Sequence, residues 1–160
     1  MSGHPGEVHH EVECVVRLND RLEPAGIAVG LDLTDRLTQG ELRADQLPWT
    51  RGKCFRSSAV IGGWSAWNGT WEDLVDPRIG LHLSLSVNDV LRQSTPLYEM
   101  SVTPRQQIAS LEAWAPVEEG DTLFTGTPEG VGQLFEGDRV LARLTNATGE
   151  VLSEIDITCA

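Results

Sequence analysis

The sequence predicts an α+β domain that is mostly β, and three observations carry that reading. Leu81-His82-Leu83-Ser84-Leu85-Ser86-Val87 alternates apolar and polar residues at period two, the mark of a strand buried on one face. Turn pairs recur along the chain, among them Asn88-Asp89, Gly120-Asp121, Gly137-Asp138 and Gly149-Glu150. Helical signals are confined to two windows, one after Thr34-Asp35 and one from Pro104 to Trp114.

The elements follow in order. Residues 1–8 are polar and contain Gly and Pro, so they form a tail that is loose unless something holds it. Residues 9–160 form a single domain. The first strand covers roughly Glu11 to Leu18, and Asn19 to Pro24 reads as a turn. Ala25 to Leu33 is small and apolar with β-branched Ile27 and Val29, a buried strand that ends at Asp32. Thr34 or Asp35 caps a helix through about Asp45, which carries Arg36, Gln39, Glu41 and Arg43 and ends at Pro48-Trp49. Lys53-Cys54-Phe55 leads into a short strand, Ser58 to Ile61, closed by Gly62-Gly63. Residues 64–77 are loop-rich and hold Trp64, Trp67 and Trp71, which suit a buried loop or an oligomer contact better than a stacking platform. The alternating strand at 81–87 turns at Asn88-Asp89 and returns along Val90 to Gln93 as a hairpin. Thr103 caps the second helix, with Pro104 at its first position. Thr122 to Thr125, Arg139 to Leu144 and Val151 to Ile157 complete the strands.

Composition bounds the function classes. A chain of 160 residues is one domain by size and long enough to bury a core. A net charge of −12 argues against nucleic acid and anionic membrane surfaces as partners. Cys14, Cys54 and Cys159 are odd in number and widely spaced, which suits reduced thiols and points to a cytoplasmic protein. No apolar run approaches the ~20 residues of a membrane span.

Two stretches offer chemistry. On a strand, Glu11 and Glu13 share a face about 6.6 Å apart, while Val12 and Cys14 face the other way. Like charges so placed fit either a solvated strand face or two ligands of a hard divalent cation. The run Thr125-Gly126-Thr127-Pro128-Glu129-Gly130-Val131-Gly132 follows a strand. Its small residues let backbone approach a ligand, and its hydroxyls and free N–H groups suit a carboxylate. It is not a P-loop, because no Gly-Lys-Ser/Thr follows.

Five motifs in order resemble the fumarylacetoacetate hydrolase family. They are His9-His10-Glu11-Val12-Glu13; Gly30-Leu31-Asp32-Leu33-Thr34-Asp35-Arg36-Leu37-Thr38-Gln39; Pro48-Trp49 to Lys53-Cys54-Phe55; Val87-Asn88-Asp89 with Arg92-Gln93 and Met100; and Leu123 to Gly132. Within the family the sequence resembles the short acylpyruvase and fumarylpyruvate hydrolase members, some of which decarboxylate oxaloacetate. The resemblance implies a mixed β-roll with two short helices, assembled as a homodimer. It implies Glu11, Glu13 and Asp32 as ligands of Mg²⁺ or Mn²⁺. Lys53 and Arg36 are implied as catalytic cations, and Gln39, Thr127 and Gly126 as substrate-binding residues. It further implies cleavage of a carbon–carbon bond in small 2-oxo or 2,4-dioxo acids by hydrolysis or decarboxylation.

Those residue types fit that chemistry. A 2-oxo acid chelates a divalent ion through its carboxylate and keto oxygens. The ion acts as a Lewis acid on the departing enolate, and Lys53 and Arg36 add fixed positive charge where negative charge develops. The sequence departs from the family in three places. In the family, a segment of several tens of residues before the Glu-x-Glu strand brings a His and a Glu that activate water, and this chain begins almost at that strand. Arg56 and Leu37 stand where many hydrolases of the family carry Asp. His4, in a Gly/Pro tail, is a poor candidate for a positioned base. These departures weigh on hydrolysis more than on decarboxylation, which needs no water nucleophile. They also keep open an alternative: a non-catalytic or altered-chemistry member that binds a metal and a small acid.

Overall fold

The computed structural model describes residues 4 and 6–160. Among these residues twelve strands run in chain order: β1 (Val8–His10), β2 (Val12–Leu18), β3 (Pro24–Asp32), β4 (Thr34–Asp35), β5 (Ala59–Ile61), β6 (Ser65–Ala66), β7 (His82–Val87), β8 (Val90–Pro96), β9 (Thr122–Phe124), β10 (Gly132–Gln133), β11 (Arg139–Thr145) and β12 (Val151–Thr158). They form three sheets, β10-β1-β4, β12-β11-β7-β8 and β5-β3-β2-β9, with β6 also paired to β3. Every pairing is antiparallel.

The core lies where the apolar faces of the two larger sheets meet. Val12, Cys14 and Val16 of β2 and Ile27, Val29 and Leu31 of β3 join Leu83, Leu85, Val140, Ala142 and Leu144 in one buried cluster. β7 has the alternation expected of it, with Leu83, Leu85 and Val87 buried and the residues between them only partly so. Its hairpin turn uses Asn88 and Asp89 at φ of 52° and 63°; the left-handed conformation at both central residues matches the twist of the strands.

The helices are α1 (Arg36–Ala44), α2 (Thr50–Lys53) and α3 (Pro104–Glu112). Asp35, not Thr34, caps α1, accepting from the Thr38 N–H at 3.1 Å. Thr103 and Gln106 close a capping box on α3, with Pro104 in the first turn. Two helices were expected, and the described residues contain three α-helices. The additional one, α2, is a single turn, too short to show a periodicity, and it carries Lys53.

The N-terminal residues are held where they are described. Val8 sits in β1, Glu7 accepts the Arg36 N–H through its backbone carbonyl, and His4 bonds Asp35 at 3.0 Å. Residues 1–3 and 5 of the expected tail lie outside the described residues. In the tryptophan stretch, Trp71 is fully buried and Trp64 packs beneath the Arg17 guanidinium, 5.1 Å from its ring centre.

Candidate metal centre

Register brings the carboxylates together. β2 and β3 pair Val12 with Leu31 and Glu13 with Gly30, and the Asp32 N–H donates to the Glu11 carbonyl at 2.9 Å. Glu11 and Asp32 are therefore cross-strand neighbours, and Glu13 stands one step along the same face. Gly30 opposite Glu13 is required by packing: a Cβ there would run into Val15 and come within 2.9 Å of Phe124. One oxygen each from Glu11, Glu13 and Asp32 lies within 4.8 Å of the others. Oxygens bound to one hard ion at 2.0–2.6 Å stand no more than about 4–5 Å apart, so the spacing fits. Glu11 and Glu13 are buried and Asp32 is partly so.

Two cations close over this cluster. Lys53 Nζ donates to Asp32 at 2.6 Å and to Glu11 at 2.8 Å. Arg36 donates to the other Glu11 oxygen at 2.6 Å and to Gln39 Oε1 at 2.8 Å. Burial alone would lower the Lys53 ammonium, but its hydrogen bonds to Asp32 and Glu11 hold it above its ordinary value. Burial pushes the Glu13 carboxyl up, the Gly126 N–H pulls it down, and the charges of Asp32 and Glu11 add to the rise; the group titrates at about 7. Two cations against three carboxylates leave one negative charge unmatched, which a divalent ion turns into net positive charge suited to an organic acid. The donor set, all carboxylate oxygen, suits a hard divalent ion.

The Gly-rich loop docks onto the cluster. The Gly126 N–H donates to Glu13 at 2.6 Å, and Thr125 ties the loop down through its hydroxyl and N–H, both bound to the Cys14 carbonyl. Gly126 has φ +94°, a conformation that favours glycine. Thr127 Oγ1 accepts from Gln93 Nε2 at 2.8 Å. A cavity of about 270 Å³ opens beside the loop, lined by Thr125, Gly126, Thr127 and Pro128 together with Met100 and Gln107, while Glu11, Glu13 and Asp32 do not line it.

The structure thus gathers Glu11, Glu13, Asp32, Lys53, Arg36 and Gln39 in one network and sets Gly126 and Thr127 on its edge through Glu13. Sequence reasoning gave no role to Gln93. It is 1% exposed, although Arg92 and Ser94 beside it are exposed. A register shift between Leu85 and Ser86 leaves Gln93 opposite Leu85, so simple alternation does not reveal it. His4 is held in place: it is stacked on Phe55 at 4.1 Å and bonded to Asp35, the cap of the helix that carries Arg36. His9 pairs with Glu7 at 2.7 Å, and His10 is buried against Gln93. Arg56 and Leu37 are both exposed.

The described residues form a mostly β fold in which three carboxylates that could hold a metal ion converge beneath a lysine and an arginine. Residues 3–156 match the fumarylacetoacetate (FAA) hydrolase C-terminal family, and the chain belongs to that family of metal-dependent enzymes. It is 36% identical over 152 residues to the mitochondrial oxaloacetate tautomerase FAHD1 of Mus musculus, an alignment covering 89% of this chain and 66% of that one. Against the oxaloacetate tautomerase YcgM of Escherichia coli it is 35% identical over 145 residues, 84% of this chain and 64% of the other. The chain therefore spans about two thirds of the length of these curated relatives. Among solved structures, the fumarylpyruvate hydrolase of Pseudomonas aeruginosa, in complex with Mn²⁺ and pyruvate, superposes with a TM-score of 0.80 at 27% identity, over 100% of this chain and 70% of that one. The yeast family protein ynq8 gives a TM-score of 0.84 at 27% identity, over 96% and 68%. No described helix is long and apolar enough to cross a membrane.

Proposed function

We propose that this chain carries the catalytic centre of a Mg²⁺- or Mn²⁺-dependent enzyme that enolises a small 2-oxo acid, with oxaloacetate as the leading substrate. The observation that supports it most is the Glu11–Glu13–Asp32 cluster with Lys53 and Arg36 hydrogen-bonded across it. A divalent ion held by those carboxylates supplies a Lewis acid for the keto group and its enolate. The chain's own residues do the rest. Lys53, kept protonated by its two carboxylates, holds fixed positive charge beside the reacting oxygen. Arg36 spends one N–H on Gln39 and one on Glu11, which leaves guanidinium donors for a substrate carboxylate. Gln39 fixes the plane of that guanidinium, and Thr127 donates to the substrate from the loop.

A 2-oxo acid enolate is common to all three reactions: tautomerisation forms it by proton removal, and decarboxylation and carbon–carbon hydrolysis release it when the bond breaks. The names of the curated relatives favour tautomerisation, which the expectation of bond cleavage had not included. A second reading, cleavage of a fumarylpyruvate-type acid, draws on the Pseudomonas aeruginosa hydrolase and its pyruvate complex. A homodimer goes with either reading, and light scattering on the purified chain checks it. The test of function is a Mg²⁺ and Mn²⁺ activity screen over oxaloacetate, acylpyruvates and fumarylpyruvate, with Asp32→Ala as control. Turnover that is metal-dependent and lost in the variant supports the reading; activity that persists in Asp32→Ala overturns it.

A further inference from the structure

Gln93 uses its whole hydrogen-bonding capacity inside the protein. Its Oε1 accepts from the Val12 N–H at 3.1 Å and pairs with His10 Nδ1 at 2.9 Å. Its Nε2 donates to Thr127 Oγ1 at 2.8 Å and to the Pro128 carbonyl at 3.0 Å. The orientation of the amide is settled by chemistry: the Val12 N–H can only donate and the Pro128 carbonyl can only accept, so oxygen faces the strand and nitrogen faces the loop. For the same reason His10 Nδ1 carries a hydrogen. Thr127 Oγ1 must then act as acceptor toward Gln93, which frees its own hydrogen to point elsewhere. Among the described residues no hydrogen bond is donated by Thr127 Oγ1.

We infer that Gln93 is a positioning residue that presets the Thr127 hydroxyl as a donor toward an anionic ligand. It also clamps the loop to β2, the strand of the metal cluster. The inference rests on the proposed role of Thr127. A hydroxyl free to rotate can offer a substrate carboxylate either a lone pair or a hydrogen, and only the hydrogen is attractive. By occupying one of the two lone pairs from a fully buried amide, Gln93 bars the rotamer that would spend the hydrogen on the protein and leaves it available to the ligand. The two ends of the amide reach residues 81 and 34 positions away, so one side chain ties the metal strand to the substrate loop.

The test uses oxalate, a 2-oxo acid mimic, titrated by calorimetry into the Mn²⁺-loaded chain. Gln93→Met removes the donor to Thr127 at any pH, and Gln93→Glu, which keeps volume and the acceptors for Val12 and His10, removes it when the carboxylate is ionised. Thr127→Val alone weakens oxalate about ten- to hundredfold, the loss of one hydrogen bond to a charged group. Gln93→Glu or Gln93→Met weakens it by a similar factor while Mn²⁺ affinity stays unchanged. The double variant with Thr127→Val binds no more weakly than Thr127→Val by itself. If Thr127→Val binds oxalate normally, the role of Thr127 fails and the inference with it. If Thr127→Val weakens binding but the two losses multiply, Thr127 keeps its role and the Gln93 inference is overturned. A wild-type structure with oxalate decides the matter even if neither Gln93 variant folds. Gln93 Nε2 still bonded to Thr127 Oγ1, with that oxygen on the ligand, upholds the inference; loss of either contact overturns it.

Discussion

Glu13 is the residue whose protonation state reports most directly on the site. Its carboxyl titrates at about 7 because it is buried, against the pull of Gly126, beside Asp32 and Glu11. In the unfolded chain it titrates near 4.5, so between these values the metal-free fold holds a proton that the unfolded chain has released. This contribution is full below about 4.5 and is lost as pH rises through about 7. The metal-free protein should therefore lose up to about 3 kcal/mol between pH 5 and 8 relative to Glu13→Gln, seen as a falling Tm. Because a metal must displace that proton, Mn²⁺ should raise Tm more at pH 8 than at pH 5.5. Equal Mn²⁺ shifts at both values would contradict Glu13 as a ligand. Glu11→Ala and Lys53→Met should each lower metal-dependent turnover by more than about hundredfold, measured at saturating Mg²⁺.

Glycines set how closely the elements carrying the site approach. A Cβ on Gly52 would stand 3.0 Å from the Gln39 N and 3.1 Å from its Cα and Cβ, so Gly52→Ala should push α2 off α1 and move Lys53. The expected result is about tenfold lower activity with a smaller fall in Tm, read from kinetics and thermal unfolding together. Gly30→Ala in β3 should cost about 1–3 kcal/mol by overpacking against Val15 and Phe124, measured by denaturant unfolding. These elements differed in how legible they were. β7 and α3 were plain in the sequence because alternation and a Thr-Pro cap are local signals. The single turn of α2 was not, since four residues hold no period, and its position depends on contact with α1. The hold on His4 was invisible too, because Phe55 and Asp35 reach it only through tertiary packing.

At the scale of the molecule, two packed antiparallel sheets serve to place charge. The shared strand face of Glu11 and Glu13 could be read from period two, but alone it did not distinguish a solvated face from a ligand pair. The β2–β3 register adds what period two lacks by setting Asp32 beside Glu11, and burial makes the one negative charge that Lys53 and Arg36 leave unmatched costly. The family motifs pointed to the same residues by resemblance. The motifs included Gln93 but neither route gave it a role, because its four hydrogen bonds are made across the fold. The central claim is that the carboxylate cluster holds a divalent ion on which a 2-oxo acid is recognised. It is tested most directly by calorimetric titration of oxalate into the chain with and without Mn²⁺, in wild type and Asp32→Ala. Saturable binding of one oxalate per chain that requires Mn²⁺ and vanishes in Asp32→Ala is the predicted result. Binding that proceeds equally without metal, or that survives in Asp32→Ala, would contradict the claim.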